Sequence, residues 1–531
     1  MKIFTNCRII TMDDEMPYGD YIVVDDGRII EVGKGSIKWE YKGGKQVDLK
    51  GCVVIPGFWE SHLHVATGVR SLMELNLKDC SDKQMRERMK SYCKKIPSGD
   101  WIIGHGWDES KLFGGKFPNR HILDELCSSN PMVLVRMDGH SLCVNTAAIY
   151  RLGLNEQEYS PEVPMSEDGL PAGMFFENAA TDILACIESL LPDDYLERVL
   201  LRAQDLFLQN GITSINDIYI QNGRYLKLYK KLEAEKRLKI RVTASPNGAD
   251  DNLTEEFEIS RINQNERLKI GPPKFFMDGS FGSRTGLLWE EYDDDPGNNG
   301  IQLYEKAGLK DIISSNAAKG RSVSIHAIGD KAVSILIDVF DSIKHARGSK
   351  PRNRIEHIQI VREQDIKGFK KHSITASFQP VFLYEVNLTR ERLGKERLSR
   401  VYRFKSFIDE GVNVIFNSDW PYGGEEFPEK PDGIKYIGFE PLLGIHAACC
   451  MQMNANEALT PIQALKCYTV NPAYVNYREE ELGKLKKGFF ADFAVLSKDI
   501  TKIEAEDIIN TKVIETYISG EKVYEKKNNA I

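Results

Sequence analysis

Two histidines two residues apart, His62 and His64, follow the apolar run Val53-Val54-Ile55 and the pair Pro56-Gly57. On an extended strand, residues i and i+2 share a face, so both imidazoles emerge together where a buried strand reaches its carboxyl end. That arrangement suits a divalent metal. Alone it is a weak signal, because such a pair also arises by chance. Further polar residues stand at the ends of later apolar runs: Lys274 with Asp278, His326 with Asp330, Arg354-Ile355-Glu356-His357, Gln379 and Ser418-Asp419-Trp420. Four His and one Asp at strand ends make a ligand set for borderline metals such as zinc. Singly, each histidine reads better as a core or surface histidine, and Asp419 as a helix cap; it is the joint placement that calls for explanation.

Eight apolar runs are the elements that must position these residues: Cys52–Phe58, Ile212–Asp217, Ile240–Ala244, Pro273–Asp278, Ser322–Ala327, Arg354–Ile358, Ile374–Gln379 and Asn413–Ser418. Helical stretches such as Ala332–Lys344 and Val401–Glu410 separate several of them. This alternation predicts an α/β chain built on a parallel (β/α)8 TIM-type barrel over 52–480. The segment from about 68 to 208 breaks the rhythm and reads as an insertion after the first barrel strand. The rival reading, Met132–Arg136 as the second barrel strand, gives one strand too many. Residues 1–51 and 481–531 share a texture of short strands and turns, including Asp25-Asp26-Gly27-Arg28 between two apolar runs. Together they predict one small β-sandwich built from both termini.

Composition narrows the class of partner. The net charge is −8, from 70 basic and 78 acidic residues, which favours neither nucleic acid nor an anionic membrane. Asn6, Arg8, Asp13 and Asp14 interrupt any signal-peptide core, and no apolar run reaches the roughly 20 residues of a membrane span. Ten cysteines are scattered without a Cys-x-x-Cys pair, so a cytoplasmic location with free thiols is expected.

The chain resembles the amidohydrolase superfamily, in the branch that includes N-substituted formamide deformylases. The resemblance rests on IPGFWESHLH, GWD at Gly106–Asp108, RMDGHS at Arg136–Ser141, GITSIND at Gly211–Asp217, KFFMDGSFGSRTG at Lys274–Gly286, HAIGD, RIEH, NSDWP and GKLKKGFFADFAVL at Gly483–Leu496. It implies two divalent ions, zinc foremost with manganese, iron or cobalt open. His62 and His64 would hold one, with Asp419 beside it, and His326 and His357 the other. Lys274, carboxylated on its amine, would bridge them; an ordinary lysine there would leave a single-metal site. Phe281, Gly286 and Lys331 depart from the Leu, Ala and Arg common in the family; none is a proposed ligand, so the departures bear on the pocket.

The implied reaction is hydrolysis of a non-peptide amide C–N bond, of the N-acyl or N-formyl amine type, by a metal-bound hydroxide. Asp419 would serve as base and then acid. Asp330 and Glu356 are candidates to orient the imidazoles. Trp107, Arg136, His140, Arg284 and Trp420 are candidates to contact a small-molecule substrate, with Asp108, Asp138 and Phe281 beside them. Hydrolysis of a lactone or other ester at the same site is the alternative, and a non-catalytic metal-binding regulatory protein a third reading. A homodimer is left open by the resemblance.

Overall fold

The apolar run ahead of His62 folds as two strands rather than the single strand Cys52–Phe58. Val53–Pro56 pairs with Arg8–Ile10 and Phe493–Leu496, whereas Phe58–Leu63 pairs in parallel with Ile212–Ile220. Gly57 divides them because a Cβ there would lie 2.2 Å from Thr213 Oγ1, so only glycine lets the chain pass so close to its neighbour. The computed structural model describes residues 1–526 except 79, 110–111, 137–140, 157–162, 262–265, 344–350, 424–426, 429–434 and 452.

Phe58–Leu63, Ile212–Ile220, Arg241–Pro246 and Leu268–Ile270 form one parallel sheet in that order. Lys274–Phe276, Ser324–Ala327, Arg354–His357, Thr375–Phe378 and Val414–Phe416 form a second. Leu268–Ile270 and Lys274–Phe276 are successive parts of one run, parted by Gly271-Pro272-Pro273, since the prolines have no N–H to give a ladder. Backbone hydrogen bonds join the two sheets at both edges. Gly248 N–H donates to Lys274 O at 2.8 Å, and Asp419 N–H to His62 O at 2.9 Å. Helices follow the strands. Asp330–Ser342, for example, buries Ala332, Val333, Leu336, Ile337 and Phe340, each large side chain contributing about 1.5–3 kcal/mol.

The chain ends make two further sheets. One joins Arg28–Gly33, Tyr21–Asp25, Lys2–Thr5 and Lys45–Asp48; the other includes Val513–Ile518, Phe493–Leu496 and Val53–Pro56. Phe4, Ile22 and Val24 of the first share a core with Val54, Phe493, Val495 and Tyr517 of the second. Asp26 and Gly27 turn between the first two strands with φ of 45° and 75°, the left-handed pair that a tight hairpin demands.

Two compact units result: Met1–Val65 with Ala203–Ile531, and Ala66–Arg202. The second has its own sheet, ordered Met174–Phe176, Ser141–Val144, Met132–Arg136, Ile102–Trp107 and Leu75–Asn76, and its own core. Met132–Arg136 therefore does not join the parallel strands of the first unit. Among the described residues, no helix is long and apolar enough to cross a membrane.

Candidate metal centre

Strand alternation places the polar residues on common faces. Glu60 and His62 share one face of Phe58–Leu63, Lys274 and Phe276 one face of the next sheet's edge strand. Register then sets Lys274 beside Ser324 and Arg354, and Phe276 beside His326 and Glu356. Glu356 and His357 are adjacent, so a regular strand would send them to opposite faces. His357 has a φ of 79°; this left-handed turn ends the alternation and brings its ring to 4.3 Å from that of His326 and 5.2 Å from that of His62. Asp419, with φ 56°, likewise leaves the line of Val414–Phe416. Left-handed conformations at residues bearing a Cβ cost about 1–3 kcal/mol each and cluster at working sites.

Each of three imidazoles has one nitrogen held by an acceptor, which selects its tautomer. His62 Nδ1 donates to Glu356 Oε2 at 2.8 Å, His357 Nδ1 to Gln379 Oε1 at 3.0 Å and His326 Nε2 to Gly279 O at 2.9 Å. The other nitrogen of each is left as a lone pair. His62 Nε2 faces Asp419 Oδ1 at 3.2 Å, and His64 Nε2 reaches the same oxygen at 3.2 Å. A neutral imidazole lone pair opposed to a carboxylate oxygen has no hydrogen to share. A cation between them removes the repulsion. Nitrogen and oxygen donors from His62, His357 and Asp419 all lie within 4.8 Å of one another, and these donor types suit zinc and its neighbours. The residues present therefore fit a divalent metal.

Electrostatics agree with a site built for cations. Burial would raise the Asp419 carboxyl, but His62, His64 and His357 outweigh it and hold it well below the usual carboxylate range. Burial likewise opposes ionisation of Glu356, and Arg354 and His62 overcome it. Burial, then Lys274, lowers His326 to about 3; burial, then His326, takes His357 well down. Lys274 is lowered to about 8, chiefly by burial. Its amine donates to His62 Nε2 at 3.3 Å and lies 4.9 Å from the centre of the Phe276 ring. Among the described residues no carboxylate is within ion-pair distance of it.

Several sequence-predicted residues are engaged elsewhere. Trp107 is wholly buried in the core of the Ala66–Arg202 unit, its indole N–H on Leu134 O at 2.9 Å, which corrects the expectation that it faces substrate. Arg136 grips Glu109 through two hydrogen bonds of 2.8 and 2.9 Å. Arg284 pairs with Asp294 at 2.8 Å. Trp420 is buried against Phe439. His140 and Asp138 lie outside the described residues. Asp330, expected beside an imidazole, instead accepts Trp289 N–H at 3.1 Å and faces Arg400 at 3.6 Å.

Three residues were not singled out for the work they do. Glu60, buried and raised to about 8 by that burial, accepts the N–H of His62 at 3.2 Å and of Ser418 at 3.0 Å through Oε1. It ties the His62 strand to the segment carrying Asp419. Its spacing two residues before His62 was the available signal. Asp278 accepts the N–H groups of Leu287, Ile328 and Gly329 and lies 3.5 Å from His326 Nε2. Gln379 orients His357 and donates to Asn417 at 2.6 Å.

A family model described as amidohydrolase family matches residues 45–524. Protein LONG AFTER FAR-RED 3 of Arabidopsis thaliana is 29% identical over 98% of this chain and 91% of its own length. An N-substituted formamide deformylase of Arthrobacter pascens is 25% identical over 98% of both. Among solved structures, an uncharacterized metal-dependent hydrolase from Pyrococcus horikoshii OT3 superposes with a TM-score of 0.80 at 28% identity, over 95% of this chain and 99% of that one.

Proposed function

Because the chain belongs to the amidohydrolase family, we propose that it hydrolyses a non-peptide amide C–N bond of the N-acyl or N-formyl amine type. The observation that carries this is the Asp419 carboxylate, buried and ionised against His62 and His64 with His357 alongside. The formamide deformylase relative supports the choice of bond. His62, His64, His326, His357, Asp419 and carboxylated Lys274 would hold two divalent ions, zinc foremost. When bound, such ions acidify water and polarise a carbonyl.

The chain's own residues carry the proton. Asp419 accepts it from the water whose oxygen bonds to the carbonyl carbon, and delivers it to the nitrogen as the C–N bond breaks. Glu356 keeps His62 in the tautomer that presents Nε2. Lys274 is a buried amine beside the imidazoles, with no carboxylate within ion-pair distance among the described residues and its ammonium form disfavoured by burial. From that ammonium, carboxylation by carbon dioxide releases two protons and leaves a carbamate anion that a dication accepts. The ten cysteines are all free, which supports a cytoplasmic location.

The scaffold reading follows the hydrogen bonds at both sheet edges: two arcs of one (β/α)8 barrel over 52–480. The shared terminal core supports a β-sandwich from 1–51 and 481–531.

The test is metal analysis of protein purified without chelator, a structural check of Lys274, and assay on N-formyl and N-acyl amines. Amide hydrolysis that chelator abolishes and zinc restores is the expected result. A metal-loaded protein inert on amides but active on lactones overturns the choice of bond.

A further inference from the structure

Phe276 lies two residues beyond Lys274 on the same strand face, and register places it beside His326, ring centres 5.1 Å apart. Its other neighbour is Tyr219, edge-on at 4.8 Å. Tyr219 lies within the register shift between Asp217 and Ile220 and has a φ of 62°. That conformation is uphill for a residue with a Cβ, and with the bulge it turns the ring out of the strand's alternation onto Phe276. Both rings remain partly exposed. Leu303, 49% exposed, donates its N–H to the carbonyl of Met277, the residue after Phe276, at 3.0 Å. Partly exposed aromatic surface thus borders the buried imidazoles on the His326 side.

We propose that Tyr219 and Phe276 form the apolar wall of the substrate site, and that the substrate carries an aryl group beside its scissile bond. The inference rests on the hydrolase reading. Two rings set edge to face offer a flat group both an edge and a face, whereas a short alkyl group covers little of either.

Binding by calorimetry to the metal-loaded enzyme tests the wall without requiring turnover. The probes are 2-phenylethylamine against ethylamine, and 3-phenylpropionate against propionate, one pair for each side of an amide. At least one aryl probe should bind at least about tenfold more tightly than its alkyl partner. Phe276→Ala and Tyr219→Ala should each shrink that ratio to about threefold or less. Tyr219→Phe should preserve it, because the ring and not the hydroxyl makes the wall, and Phe276→Leu should give an intermediate ratio in a protein that keeps its core volume. Aryl-to-alkyl ratios near one for both pairs, or a preference that survives both alanine variants with metal content intact, overturn the wall. Assay on N-acetyl-2-phenylethylamine and N-acetylethylamine separates the two readings. Hydrolysis of both at equal kcat/KM sinks the wall alone; hydrolysis of neither, with aryl binding intact, sinks the amide reading alone.

Discussion

Glu356 accepts the Nδ1 hydrogen of His62 at 2.8 Å with both side chains wholly buried, and the two residues are 294 positions apart in the chain. The same carboxylate pairs with Arg354 at 2.8 Å and accepts from Ser324 at 2.6 Å. Glu356→Gln removes the negative charge from all three. Metal affinity should fall by about 10–100-fold, and leaving buried Arg354 without its counter-ion should cost about 3–5 kcal/mol. Metal titration and urea unfolding measure the two losses; wild-type metal affinity would show that His62 needs no such partner.

Asp419→Asn should lower kcat by about 10²–10⁴-fold, the range for a lost proton-transfer group. Steady-state kinetics on the metal-loaded variant is the check, with metal content measured alongside. A change confined to KM would assign Asp419 to binding.

The metal-free protein should be acid-labile earlier than its carboxylates alone would make it. His326 is depressed from 6.5 to about 3 by burial and Lys274, and His357 moves the same way. Between those values these two imidazoles bind more protons in the unfolded chain than in the folded one. Their contribution to stability is therefore full above about pH 6.5 and is lost as pH drops towards 3. The raised carboxyl of Glu60 contributes in the opposite direction as pH falls from about 8. Glu356 and Asp419, also depressed, add their loss below about pH 4. The His326 ring, followed by NMR across stepped pH, should stay neutral well below 6.5; a ring that titrates near 6.5 contradicts its burial as a neutral imidazole.

Glu60 offers a contrast between two substitutions. Glu60→Gln keeps an acceptor for His62 N–H and Ser418 N–H and should change stability little. Glu60→Ala strands both donors in the interior, at about 1–3 kcal/mol each, and frees the segment that carries Asp419. Thermal unfolding together with kcat should separate the two variants; equal behaviour would make Glu60 a passive filler.

Gly57→Ala should destabilise by about 1–3 kcal/mol, the usual range for overpacking a tight contact, because its new methyl meets Thr213 at 2.2 Å. Unchanged denaturant unfolding would mean that the two strands part there without cost.

Short-range regularities were readable in advance. The i, i+2 spacing brought His62 and His64 out together, both Nε2 atoms 3.2 Å from Asp419 Oδ1, and Asp26-Gly27 announced its hairpin. Break points were harder to see. Cys52–Phe58 reads as one apolar run, and its division at Gly57 follows from how close Thr213 comes, 156 positions on. Trp107, in the string Gly106-Trp107-Asp108, reads as a candidate substrate contact; only packing shows it filling a core.

What the sequence by itself determined is the family and the order of the donor types along the strand ends, because these follow from motifs and local spacing. The tertiary structure alone decided which nitrogen faces which oxygen. That depends on strand neighbours hundreds of residues apart, as with His62 and Glu356, and on single left-handed residues such as His357 and Asp419. A backbone turn of that kind is paid for by contacts around it, and no local pattern encodes them.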